Sequence, residues 1–223
     1  MKGKIAEVFL SVQGEGLYVG QRQVFVRLAG CNLSCAYCDT PIAFWREYEP
    51  QALLGELNCY GTGFSSVTFT GGEPLVQAEF LGEVLGLTKA AGFRNYLETN
   101  GTLPQALSEV IKWVDIIAMD FKLPSSTGLK AYWQEHQEFL CIASSKEVFV
   151  KTVVNANTSM DDLRRAIDVI NAVDPGIVLV LQPDGNQPYE QLESKVEELR
   201  ASCFQQGLTA CVIPQMHKLI GVK

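Results

Sequence analysis

Residues 30 to 40 read GCNLSCAYCDT and place Cys31, Cys35 and Cys38 within one short loop. Thiolates are soft ligands that select zinc, copper(I) or iron–sulfur clusters. A structural zinc site closes with four ligands, and neither His136 nor His217 stands at a spacing that completes a finger or ribbon. Three cysteines on a loop can instead hold three irons of a 4Fe–4S cluster, leaving the fourth iron open to an exogenous ligand. The open coordination position is then where the chemistry enters. The other four cysteines, Cys59, Cys141, Cys203 and Cys211, are scattered. Cys141 and Cys211 lie in the apolar stretches FLCIA and TACVI, where cysteine is expected to be a small buried hydrophobe.

Further groups that could do chemistry fall at one recurring place. Apolar, strand-sized runs occur at VFVRLAG, VTFTGG, NYLETNG, VDIIAMDFK, VFVKTVVN, GIVLVLQPDG and TACVIPQ, and polar or glycine residues collect just after them. These are Cys31, Thr70 to Glu73, Glu98 to Asn100, Asp120 and Lys122, Lys151, and Gln182 to Asp184. Helical patterns over Gln77 to Ala91, Met160 to Val173 and Gln187 to Gln206 separate the runs, with Ser159 a natural N-cap. Strands buried on both faces and joined by helices imply parallel βα units with right-handed crossovers. About six such units fit, fewer than a closed barrel needs, so the expected fold is α/β, a partial, open (β/α) barrel. In such folds the C-terminal edge of the sheet carries the site. Residues Trp45 to Gly63, between the cysteine loop and the next strand, are expected to include a helix.

Arg27 stands out in the middle of an apolar strand. Arginine is seldom buried without a partner, and its planar fork matches a carboxylate, so it serves either a core salt bridge or an anionic ligand. The net charge of −7 argues against a broad phosphate-binding face and hence against nucleic acid as partner. No apolar stretch reaches the length of a membrane span, and the N-terminal MKGKIAEVFLSVQGEG lacks the unbroken apolar run of a signal peptide. The expected compartment is the cytoplasm, where clustered cysteines point to metal or catalysis rather than disulfides.

The spacing Cys-x3-Cys-x2-Cys with Tyr37 before the last cysteine is the signature of radical S-adenosylmethionine (SAM) enzymes. TFTGGEP, Thr68 to Pro74, resembles the glycine-rich segment after the second strand of that superfamily. Beyond these motifs, EVFLSVQGEGLYVGQRQVFVRLAGCNLSCAYCDT, ETNGT, MDFKLPSS, LQPDG and HKLIGVK resemble the 7-carboxy-7-deazaguanine synthase family over essentially the whole chain. The resemblance implies one radical SAM domain over residues 1–223, with an N-terminal substrate-clamping segment and a C-terminal tail closing the site. It implies contraction of 6-carboxy-5,6,7,8-tetrahydropterin to 7-carboxy-7-deazaguanine with loss of ammonia, in queuosine and deazapurine biosynthesis. The implied cofactors are a 4Fe–4S cluster, SAM and Mg²⁺; the implied partners are a flavodoxin or ferredoxin as electron donor and a second copy in a homodimer. A glycyl-radical activating enzyme is the alternative, but its protein substrate would need neither the SVQGEG segment nor Arg27.

Carried over residue by residue, the resemblance assigns the cluster to Cys31, Cys35 and Cys38. SAM falls to Tyr37, Cys38 and Asp39 beside the adenine, to Gly72 at the methionyl amino group, and to Asp120, Phe121, Lys122, Gln182, Pro183, Asp184 and Gly185 around ribose and adenine. The pterin edge falls to Val12, Gln13 and Gly14 through backbone groups, the substrate carboxylate to Arg27, and further substrate contacts to Thr70, His217 and the terminal carboxylate of Lys223. Thr40 corresponds to the Mg²⁺ ligand. No side chain is implied as a catalytic acid or base.

Overall fold

A computed structural model describes residues 1–38 and 42–221 of the chain. Asp39, Thr40 and Lys223, three of the sequence-predicted site residues, lie outside the described residues. In chain order the strands and helices are β1 (Gly3–Val12), β2 (Arg22–Leu28), β3 (Arg46–Tyr48), α1 (Pro50–Asn58), β4 (Ser66–Gly71), α2 (Ala78–Ala90), β5 (Asn95–Thr99) and α3 (Pro104–Val110). They continue with β6 (Ile116–Asp120), α4 (Pro124–Thr127), α5 (Trp133–Ala143), β7 (Glu147–Val154), α6 (Met160–Val173), β8 (Leu179–Pro183), α7 (Tyr189–Gln205), β9 (Ala210–Val212) and α8 (Met216–Ile220).

All strands join one sheet in the order β3-β1-β2-β4-β5-β6-β7-β8-β9. From β2 to β9 neighbours are parallel, so six crossovers link these strands, and the sheet stays open between β3 and β9. This is the partial barrel that the alternation of apolar runs predicts. Every strand-sized run in the sequence lies on a parallel strand. α6 starts at Met160 behind Ser159, whose Oγ accepts from the Asp162 amide at 3.2 Å. Such a cap contributes about 1 kcal/mol.

β1 and β3 are strands that the apolar pattern did not signal. β1 runs antiparallel to β2 at the margin of the sheet, with a register shift between Ile5 and Glu7. Only Gly3 and Ile5 of it are fully buried, so it lacks the continuous apolar run of a parallel strand. The helix expected between Trp45 and Gly63 is α1.

The main core lies between the sheet and the outer helices, around residues such as Phe69, Leu97, Ile117, Phe139 and Ile167. A small second core fills the concave side near the N-terminal ends of the strands: Tyr96, Ile116, Ala118, Phe149 and Val180. The segment after β1 plugs this end. Its helical turn Gly16–Tyr18 lays Tyr18 edge-on to Tyr96, centroids 5.4 Å apart, and stacks it on Phe149. Gly16 has φ +64°, and a Cβ there would stand 2.5 Å from the Phe149 ring. The concave space that remains therefore opens at the C-terminal edge.

Cys141 corrects the expectation of burial. α5 turns His136, Phe139, Leu140 and Ala143 inward, which leaves Cys141 exposed on its outer face. Cys211 is half-buried against the small inner core. His136 is fully buried, stacked on Phe121 at 4.6 Å, with Nε2 3.2 Å from the Asn100 carbonyl oxygen. Burial pushes its pKa down to about 4, the hydrogen bond to Asn100 opposing only in part. A depressed histidine contributes stability that is complete above its unfolded value and is lost as pH falls towards the folded one. Between pH 7 and 5, His136 should therefore cost the ligand-free protein on the order of 2 kcal/mol. In urea titrations, His136→Phe should remove that part of the pH dependence; an unchanged slope would assign it elsewhere.

Candidate active site

The C-terminal edge encloses a cavity of about 270 Å³, and most of the sequence-predicted site residues line it. Cys31, Cys35, Tyr37 and Cys38 come from the loop after β2; Thr70 and Gly72 end β4. Asp120 and Lys122 end β6, Gln182 and Asp184 end β8, and Gln13, Gly14, Arg27 and His217 close the opposite side together with Val12. Phe121, Pro183 and Gly185 are not in the wall. Phe121 is turned into the core, where it stacks on His136. Gly185 instead donates its amide to Gln215 Oε1 at 3.0 Å, beside the C-terminal segment.

The cysteine loop is pinned to the end of β4 by backbone. The Gly72 amide donates to the Leu28 carbonyl at 3.1 Å and the Glu73 amide to the Gly30 carbonyl at 2.9 Å. A Cβ on Gly71 would lie 2.1 Å from Leu28 O, and one on Gly72 2.1 Å from Gly30 O and 3.0 Å from Cys31 Cβ. The paired glycines are thus a packing requirement, whatever ligand they meet. Asn32, inside the loop, donates to Thr102 Oγ1 and accepts from Asn100 Nδ2, each at 2.9 Å. Glu73 is buried beneath this junction, accepting from the Asn100 amide at 2.7 Å, Thr99 Oγ1 at 2.8 Å and the Leu75 amide at 3.1 Å. Burial lifts its pKa to about 7 against those donors. Among the described residues no group of His, Cys, Asp or Glu side chains is drawn together as a single metal ion requires. A four-iron cluster makes a different demand, since each cysteine binds its own iron. Burial also raises the thiols of Cys31 and Cys35 above the ordinary cysteine value, so a metal must displace their protons.

Charge alternates across the cavity. Lys122 donates to Asp120 Oδ2 at 2.8 Å and to the Tyr37 hydroxyl at 3.3 Å. Lys151, buried, lies 3.5 Å from the same Asp120 oxygen and ion-pairs with Glu15. Burial would raise the Glu15 carboxyl, but Lys151 holds it down at about 2. Arg27 is neither buried nor alone: its Nε pairs with Glu7 at 2.8 Å across the β1–β2 ladder, and its guanidinium lies 5.7 Å from the Phe9 ring centroid. Gln13 Nε2 donates to Glu98 Oε1 at 2.8 Å and to Gln23 Oε1 at 3.0 Å, and Thr70 Oγ1 donates to Glu98 Oε2 at 2.6 Å.

Part of the backbone of the Val12 to Gly16 turn is engaged within the fold. The Gln13 amide and carbonyl are bonded to Gln21 and Gly20, and the Gly14 carbonyl accepts from Met216. Val12, Gln13, Gly14 and Glu15 of this turn line the cavity. Glu15, Glu98, Lys151 and Gln215 line the cavity without having been chosen from the sequence. The strand-end rule already marked Glu98 and Lys151; Glu15 sits inside the quoted turn; Gln215 carries no signal.

Two acceptors decide whether a polar cofactor suits this wall. Asp120 Oδ1 and Gln182 Oε1 are buried with no hydrogen-bond partner among the described residues. Such groups cost stability unless a bound donor completes them. Three thiols, two unanswered acceptors and a cavity between them fit a cluster with a hydroxyl- and amine-bearing cofactor.

A model of the radical SAM superfamily matches residues 25–170 of the chain. The 7-carboxy-7-deazaguanine synthase of Geobacter sulfurreducens is 36% identical over 98% of this chain and 97% of its own length. The Archaeoglobus fulgidus enzyme of the same name is 35% identical, with both chains covered in full. The chain belongs to the 7-carboxy-7-deazaguanine synthase family. The crystal structure of QueE from Escherichia coli, at 21% identity, shares its fold with a TM-score of 0.67 over 95% of this chain and 94% of that one. SuiB from Streptococcus suis shares it with a TM-score of 0.61 over 82% of this chain and 46% of that one. The cysteine loop is held against the end of β4 in part by the close approach of Gly72 to Gly30. Gly72→Ala should push the β4 end off Gly30, costing about 1–3 kcal/mol and lowering iron content after anaerobic reconstitution. Iron assay beside thermal melting checks it; a variant with full iron and unchanged melting would contradict the close approach.

Proposed function

We propose that the chain converts 6-carboxy-5,6,7,8-tetrahydropterin to 7-carboxy-7-deazaguanine in queuosine and deazapurine biosynthesis, with the cavity at the C-terminal strand edge as its site. The observation that carries this is the meeting, in one cavity, of three cysteines, two unpartnered buried acceptors and an arginine fork. When bound, a 4Fe–4S cluster and SAM supply the hydrogen-abstracting radical chemistry. Everything else is the work of this chain: binding, orientation and shielding.

Cys31, Cys35 and Cys38 would hold the cluster. Asp120 Oδ1 and Gln182 Oε1 would accept from donors on SAM, with Tyr37, Gly72, Lys122 and Asp184 around them. Arg27 would take the substrate carboxylate, its orientation set by the pair with Glu7. The pterin's donor edge would meet Gln13 and Thr70, and His217 would close over it from the C-terminal segment. The close packing of His217 on Gly14, where a Cβ would lie 2.4 Å from Nδ1, supports this reading. Thr40 as Mg²⁺ ligand, the Asp39 contact and the Lys223 carboxylate complete the reading by family resemblance. So do the flavodoxin or ferredoxin donor, the homodimer, the single domain and the cytoplasmic setting. No helix among the described residues is long and apolar enough to cross a membrane.

The experiment is an anaerobic incubation of reconstituted protein with the pterin, SAM, Mg²⁺ and dithionite, read by mass spectrometry. Replacing any one of Cys31, Cys35 or Cys38 by Ala should abolish SAM cleavage. Cys59→Ser and Cys141→Ser, at exposed positions, should leave iron content and turnover within about twofold, as surface substitutions usually do. A loss in Cys59→Ser or Cys141→Ser equal to that in the first three variants would refute the ligand assignment.

Arg27 separates the two ligands. Arg27→Ala should keep the cluster and the change in its EPR spectrum on adding SAM. Pterin affinity should fall by about 10- to 100-fold, the loss of a charge-assisted bidentate contact. Arg27→Lys should recover little, since a point charge does not reproduce the fork. Normal pterin binding by Arg27→Ala would return Arg27 to a purely structural pairing with Glu7.

A further inference from the structure

Lys151 is one of the cavity residues that the family reading leaves without a task. It stands on β7 directly opposite Asp120 on β6 in the parallel register. Its side chain is 10% exposed, and its ammonium lies between two carboxylates from different parts of the chain. One is Glu15, in the turn after β1, which also accepts from Gln215 Nε2 of the C-terminal segment at 2.9 Å. The other is Asp120, whose Oδ2 is shared with Lys122 while its Oδ1 stays buried and unpartnered. Burial would lower the Lys151 pKa, yet Glu15, Asp120 and Glu98 together hold it above the ordinary lysine value.

We propose that Lys151 is a positioning residue shared by the two halves of the site, its single charge holding the substrate-side turn through Glu15 and the cofactor-side acceptor through Asp120. The proposal rests on the functional reading above and deepens it. The physical reason is the scarcity of solvent. Asp120 is 8% exposed and the Glu15 side chain 18%, so water screens neither carboxylate well. Without the cation, Glu15 loses its counter-charge and repels Asp120, which keeps only Lys122. Asp120 then turns away from the cofactor, and the turn carrying Gln13 and Glu15 loosens together with Gln215. A cation at the cavity floor that served one ligand would affect one affinity; this one should affect both.

The test measures dissociation constants for SAM and for the pterin separately, by anaerobic equilibrium dialysis on reconstituted protein, with melting of each variant alongside. Lys151→Met should weaken both ligands by about 10-fold or more, the usual consequence of removing one member of a buried ion pair. Lys151→Arg, which keeps the charge, should stay within about threefold of wild type for both. The decisive variant is Lys151→Met combined with Glu15→Gln. Removing the surplus carboxylate should recover most of the lost SAM affinity, although Glu15 lies on the other half of the site. A residue that merely filled space would show no such recovery. Loss of pterin affinity alone in Lys151→Met, or no recovery of SAM affinity in the double variant, would overturn the proposal. If Lys151→Met does not fold, the arginine and double variants carry the same decision. A wild-type protein that binds neither ligand would overturn the functional reading, and the proposal with it. Wild-type binding together with an unmoved Lys151→Met would overturn the proposal alone.

Discussion

At the C-terminal ends of β2 and β4 two stretches of backbone approach so closely that no side chain fits between them. Gly71 and Gly72 face the carbonyls of Leu28 and Gly30 at distances a Cβ would reduce to 2.1 Å, and two amide bonds lock the contact. The site depends on this contact more than on any other. It sets where the cysteine loop leaves the sheet, so Cys31 begins the loop beside the end of β4. It also lets Glu73 sink beneath the loop and bind the amides of Leu75 and Asn100, from which Asn100 and Thr102 hold Asn32. A loop that brings three cysteines to one cavity needs such external support, since its own backbone forms little regular structure. Within it the Cys38 amide bonds the Cys35 carbonyl, and the Ala36 amide reaches out to Thr127.

Electrostatics then organises the cavity that this junction borders. Buried charges persist where they are paired, and here lysines and carboxylates alternate from Tyr37 through Lys122, Asp120 and Lys151 to Glu15. The alternation gives each of these groups a partner in a poorly solvated space and ties their side chains to one another. Arg27 and Glu7 repeat the device on the β1–β2 side, where partial exposure makes the pair weaker. Preorganised charge of this kind costs stability in the free protein and returns it as affinity.

The open barrel also needs a floor. Tyr18 and Gly16 supply it by inserting the turn after β1 among Tyr96, Phe149 and Val180. The same turn sends Gln13 and Glu15 upward into the cavity, and Met216 of the C-terminal segment bonds to its Gly14. The turn after β1 and the segment after β9 thus meet at one place on the inner side of the sheet. The strands supply the rim, and these two segments supply the rest of the wall.

Much of this was legible in the order of residues. Parallel strands buried on both faces must be continuous apolar runs, so all seven appear as such, and Ser159 marks the start of α6 because a cap is a local, short-range bond. The cysteine spacing and the glycine pair are likewise local patterns, which is why the family could be read from them. The rest depended on contacts between segments far apart in sequence. β1 sits at the sheet margin with little burial, so no apolar run announces it. The partners of Arg27 and Lys151 lie 20 and 136 residues away, and no spacing rule connects them. Cys141 shares its apolar neighbourhood with buried residues, but only the packing of α5 decides that its face looks outward. Local chemistry is written in the sequence; which charge answers which, and which face a helix shows, is settled only when the strands are laid side by side.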